Sequence, residues 1–188
     1  MAALLMVFTF VAFLMTDIIV RKFQRSRAIA TANLEADTGF AIPYGLKVED
    51  LAVPGGVFFH DGHTWAGLDT DGKIKVGFDD FIQKILGRID GIKPYKVGAT
   101  VNRGEKIFSL VQGNRKADFY SPIDGVISSI NEEVINNPSL LKENPYEKGW
   151  IYSIKPTNLA QDVKSLSIAD EARNWIKNEV QKFKEFLA

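Results

Sequence analysis

The residues whose types and spacing could do chemistry are few. The stretch "SLVQGNRKADFYSPIDG", Ser109 to Gly125, reads as a tight hairpin running into a second strand, with "QGNR" as its turn. Lys116 lies just past that turn, where an exposed amine could carry a covalent load. His60, Asp61 and His63 in "FHDGHTW" invite a metal reading. Two histidines three apart with no certain third ligand fall short of a metal site, so no metal is expected. Asp79 with Asp80, and Glu132 with Glu133, read as helix caps and surface rather than as an acid–base pair. With no cysteine, disulfides, thiol catalysis and cysteine-held iron–sulfur clusters are excluded. No phosphate-binding loop, catalytic serine arrangement or nucleic-acid signature is present, and the net charge is zero. The chain is therefore not expected to be an enzyme.

The elements that would hold these residues follow from periodicity. From Val57 the pattern is that of strands, with "DTDG" at 69–72 as a hairpin turn between alternating runs. Phe81, Ile82, Ile85, Leu86 and Ile89 then recur at helical spacing, with Asp79 or Asp80 as cap and Gly87 marking the end. Beyond it, short strands are punctuated by Gly98, Gly104, Gly113 and Gly125, the pattern of a small barrel or sandwich. "NNPSLLKENPYEKGW" is a turn-rich excursion with a short helical piece, and "WIYSIKPTNL" returns as a closing strand. "SIADEARNWIKNEVQKFKEFLA" is an amphipathic helix. Its stripe is Ile168, Ala172, Trp175, Ile176, Val180, Phe183 and Leu187, and Ser167 is its expected cap.

The first segment differs. "MAALLMVFTFVAFLMTDIIV" holds twenty residues with one charge, Asp17, and "RKFQRSR" follows with four cations. That length suits a bilayer span, and the positive-inside rule puts the basic end in the cytoplasm. The expected location is the cell inner membrane, single-pass, with the N-terminus outside and the main domain cytoplasmic. Asp17 either reaches the headgroups, pairing with Arg21, or makes a polar contact with a neighbouring transmembrane helix. The expected division is an anchor over 1–27, a connector arm over 28–56, a β domain over 57–160 and a C-terminal helix over 161–188.

The β domain resembles the H protein of the glycine cleavage system. The residues carrying the resemblance are "HTW" at 63–65, "KVGFDDFIQKILG" at 75–87, "VGATVNRGEKIFSLVQ" at 97–112, "DFYSPIDGVISSIN" at 118–131 and "NPSLLKENPYEKGWIYSIKP" at 138–156. It implies a mainly β, barrel–sandwich hybrid fold. It also implies a hairpin-tip lysine carrying lipoate, whose arm ferries an aminomethyl group between partner enzymes. Counting back from the matched "DxYxP", that lysine position falls on Asn114, and the acidic residue three before it falls on Val111. The attachment position is thus expected to be vacant, with Lys116 as the substitute and lipoate not expected.

Together these readings predict a non-catalytic, non-lipoylated accessory subunit of a bacterial membrane complex, with a respiratory or redox assembly as the suggested setting. Its partners would be other subunits, met through the transmembrane helix, the connector and the C-terminal helix. The alternative is an anchored lipoyl carrier loaded at Lys116, shuttling reducing equivalents or one-carbon groups.

Overall fold

Turn chemistry sets the first hairpin. In the computed structural model, which describes residues 46–187, β2 (Thr64–Leu68) and β3 (Ile74–Phe78) pair antiparallel around the "DTDG" turn. Gly72 there adopts φ +79°, a conformation open to glycine. β1 (Val57–Phe59) lies beside β2, and β9 (Tyr152–Pro156) lies on the far side of β3. With β5 (Thr100–Val101), β8 (Gly125–Ile130) and β10 (Ser167–Ile168) the sheet order is β10-β1-β2-β3-β9-β8-β5. The strand read as closing the domain is therefore interior. A second sheet orders β4 (Gly91–Pro94), β6 (Lys106–Gln112) and β7 (Arg115–Tyr120) as β4-β6-β7.

Alternation sends Phe78, Phe108 and Phe119 into one core, with the rings of Phe108 and Phe119 stacked 4.9 Å apart. Two polar links tie the sheets. The Tyr152 hydroxyl donates to the Ile107 carbonyl at 2.8 Å and accepts the Tyr95 amide at 2.6 Å. The Thr64 hydroxyl donates to the Tyr120 carbonyl at 2.9 Å. These three bonds satisfy groups whose burial without a partner would cost about 1–3 kcal/mol each. Gly77 is required by crowding: a Cβ there would stand 2.7 Å from the Gly149 carbonyl oxygen and 2.8 Å from Trp65 Nε1.

Five helices complete the described residues. α1 (Asp80–Ile85) is capped by Asp79, whose side chain accepts the Ile82 amide. It ends at Leu86 in extended backbone rather than through Gly87. α2 (Glu132–Asn136) is capped by Asn131, leaving Glu132 and Glu133 exposed in its first turn. α3 (Leu140–Glu143) and α4 (Leu159–Asp162) are single turns. α5 (Ala169–Leu187) buries Ala172, Ile176 and Val180, so the apolar stripe packs on the protein itself. The expected Ser167 cap is corrected: Ser167 and Ile168 pair with Phe59 and Phe58 as a strand, and the chain turns into α5 at Ala169 with φ +52°. Strand pairing has claimed the backbone that a cap would have used.

Residues 1–45 and Ala188 lie outside the described residues, and with them the anchor over 1–27, Asp17 and much of the connector arm. The inner-membrane placement is corrected. Among the described residues no helix is long and apolar enough to cross a membrane. α5 has the length, but its outer face carries charge throughout. The described end of the connector is ordered on the domain. Leu46 and Leu51 are buried with Phe81, Ile176 and Val180, and the Ala52 amide donates to Asp80 Oδ2 at 2.8 Å.

Candidate functional site

The hairpin between β6 and β7 closes with Gln112 opposite Arg115, leaving Gly113 and Asn114 as the two turn residues. Gly113 takes φ +54°, while Asn114 stays out of the left-handed region. Glycine at the first of two turn positions is the preference of a hairpin turn that matches strand twist. The tip is braced from one side. Asp90 Oδ2 accepts the Gly113 amide at 2.7 Å, Asp90 N donates to the Val111 carbonyl at 2.9 Å, and Gln112 Nε2 donates to the Arg88 carbonyl at 2.8 Å. The Gly113 amide, with Arg88 beside it, holds the Asp90 carboxyl below its usual range. Asn114 itself is exposed at the apex.

Lys116 stands two residues on, opposite Val111. Side chains two apart on a strand share a face, so Lys116, Asp118 and Tyr120 project to the same side of β7. Lys116 Nζ lies 3.4 Å from Asp118 Oδ1. Asp118 also accepts the Ser109 hydroxyl at 2.7 Å and meets Lys106 Nζ at 3.0 Å. The Ser109 hydroxyl first, then Lys106 and Lys116, lower the Asp118 carboxyl to about 2. The sequence reading missed this cluster. Asp118 stood in the matched motif, but nothing in linear spacing pairs it with Lys106; only the β6–β7 register does.

The histidines part company. His60 Nδ1 accepts the Gly62 amide at 2.9 Å, and burial lowers the His60 imidazole, which suits a neutral acceptor. His63, at φ +61°, donates from Nδ1 to Asp79 Oδ2 at 2.9 Å. Its ring lies between Phe81 and Trp175, with centroids at 5.3 Å and 5.1 Å, and Glu179 on α5 is 3.9 Å from its Nε2. Among the described residues no three His, Cys, Asp or Glu side chains converge as metal ligands. Asp79 and Asp80 are buried rather than surface groups. Asp79 bonds His63 and the helix end, while Asp80 bonds Ala52 and Lys84.

Two β sheets thus present a stiff hairpin whose turn is exposed. The glycine cleavage H-protein family pattern matches residues 57–179, and the chain belongs to that family. It is 31% identical over 133 residues to a probable glycine cleavage system H protein of Thermococcus gammatolerans, covering 71% of this chain and 98% of that protein. It is 34% identical over 121 residues to a glycine cleavage system H protein of Listeria monocytogenes, covering 64% and 95%. The crystal structure of a glycine cleavage system H protein from Mycobacterium marinum superposes with a TM-score of 0.57 at 27% identity, covering 63% of this chain and 94% of that one. A 133-residue match accounts for nearly all of the Thermococcus protein, which leaves that relative no counterpart of a long N-terminal anchor. The inner-membrane placement therefore has no support among the relatives either.

Proposed function

We propose that this protein is a non-lipoylated, non-catalytic member of the H-protein family that acts as an accessory subunit of a protein complex, using the carrier fold for contact instead of cargo. The observation that carries this reading is the hairpin apex. Asn114 occupies the turn position onto which the family resemblance places the attachment lysine, and a carboxamide offers no amine for amide formation. Lys116 is set back on β7, its amine beside Asp118. The partners are other subunits, met through the hairpin, the connector and the outer face of α5, where Phe186 is 85% exposed.

A second reading keeps the family's chemistry. Lys116 has nearly half of its side chain exposed and projects beside the turn, so it is the residue that a lipoyl carrier of this sequence would load. Intact mass spectrometry of the full chain, produced in cells with an active lipoylation system, separates the two. The accessory reading expects the unmodified mass. A lipoyl adduct that disappears in Lys116→Ala would overturn it. Asn114→Lys with Val111→Glu provides the positive control, since it restores both family positions on the same turn.

A further inference from the structure

The hairpin tip carries a second feature. A half-open cavity of about 410 Å³ lies between the tip and the segment linking α1 to β4. That volume falls within the range of small-molecule sites, roughly 300–1,000 Å³. Its floor is apolar: Leu86 and Ile89 from the linking segment, Leu110 and Ala117 from the paired strands. Leu110 and Ala117 are cross-strand partners, so they form one continuous patch. The rim is cationic, lined by Arg88, Arg115 and Lys116, with no carboxylate among the described lining residues.

The Arg88 guanidinium already meets Asp90, with Nε 2.7 Å from Oδ1, yet its side chain is 88% exposed. An exposed pair of this kind contributes little, and a guanidinium has five N–H donors, of which that contact uses one. Arg88 therefore keeps donors for an incoming anion. The walls are held in place by the same bonds that brace the tip: Gln112 to the Arg88 carbonyl and Gly113 to Asp90. A cavity with fixed walls loses less conformational entropy on binding than one that must be ordered first.

We propose that this cavity binds a medium-chain aliphatic carboxylate, its chain along Leu86, Ile89, Leu110 and Ala117 and its carboxylate at Arg88 and Arg115. An apolar floor selects the chain by burial and a rim of one sign selects the head group. A neutral or cationic amphiphile of equal length gains the first term and not the second. Lys116 also lines the cavity, while the contacts proposed for the carboxylate are those of Arg88 and Arg115.

Titration calorimetry of the full chain with decanoate, below its micelle concentration, tests this. Decyltrimethylammonium serves as the probe with equal chain length and opposite charge. Saturable one-site binding of decanoate is expected, with the cationic probe weaker by at least about tenfold, the ratio set by one charge-assisted hydrogen bond. Arg88→Gln with Arg115→Gln lowers decanoate affinity by about tenfold or more. Ala117→Leu, which fills the floor, abolishes binding of decanoate while the far-ultraviolet dichroism stays unchanged. No saturable decanoate binding, equal binding of the two probes, or affinity unchanged in both variants overturns the proposal. If Ala117→Leu fails to fold, the arginine variant, which alters only exposed side chains, still decides the matter.

Discussion

Asp79 serves two residues with its two oxygens: Oδ2 accepts from His63 Nδ1 at 2.9 Å and Oδ1 accepts the Ile82 amide at 2.9 Å. One buried carboxylate thus fixes the start of α1 and the turn between β1 and β2. Through the His63 ring, set between Phe81 and Trp175, it also fixes the seat of α5. Asp79→Ala removes the cap, about 0.5–2 kcal/mol, and leaves the His63 donor unpartnered, about 1–3 kcal/mol. A loss of about 2–4 kcal/mol is expected in urea unfolding. Asp79→Asn, which keeps one acceptor oxygen for the Ile82 amide but none for His63, loses less than the alanine variant.

Two glycines give opposite grounds for the same substitution. Gly113→Ala meets no atom within 4 Å and is opposed only by its φ of +54°, so a loss of about 1–2 kcal/mol is expected. Gly125→Ala has no unfavourable φ, but its Cβ would stand 2.4 Å from the Lys155 carbonyl oxygen, on the neighbouring strand. Backbone cannot yield as a side chain can, so this loss exceeds about 3 kcal/mol. Thermal melts of the two variants in parallel check the order.

Two of the shifted groups contribute acid sensitivity in separate windows. Asp118 is held at about 2 in the folded protein, below its unfolded value near 3.8. Its contribution is therefore whole above pH 4 and is lost as pH falls from about 4 to 2. His60 is also lowered when folded, from 6.5. The unfolded chain then binds the extra proton, so stability falls as pH drops below about 6.5. Asp118→Asn should flatten the stability profile below pH 4 only, and His60→Gln only the limb that begins near 6.5. Denaturant midpoints across pH 2–8 measure both.

The seat of α5 is a small core of its own. Ile176 is 2% exposed and meets Leu46, Leu51, Phe81 and Val180 there. Ile176→Ala should cost about 2–5 kcal/mol. It should also raise hydrogen exchange in α5 and in residues 46–53 together, while β6 and β7 keep their protection. Uniform loss across the whole protein would count against a separable cluster.

Much of this was legible in the chain. The "DTDG" turn, the Asp79 cap and the stripe at Ala172, Ile176 and Val180 follow from local chemistry, and each stands where periodicity puts it. Asn114 at the hairpin apex followed from motif spacing in the same way. What escaped depends on partners distant in sequence. Ser167 has the chemistry of a cap, and only the presence of β1 turns it into a strand residue. Asp118 gave no sign of its three partners, two of which lie on β6. Asp80 looks like a surface charge until the connector folds over it. A mostly apolar stretch of twenty residues meets the length for a span, but length is a necessary property and not an address.

The interior position of β9 sets an order on synthesis. β3 has β2 on one side from the start, but its other edge waits for Tyr152–Pro156, and the free edge of β1 waits for Ser167 and Ile168. A ribosome delivers those segments last. Until it does, the nascent chain presents two unpaired strand edges flanking a nearly complete hairpin, the kind of surface that recruits another chain. A stall in translation before residue 150 would leave this protein at its most aggregation-prone with eight of its ten described strands already made.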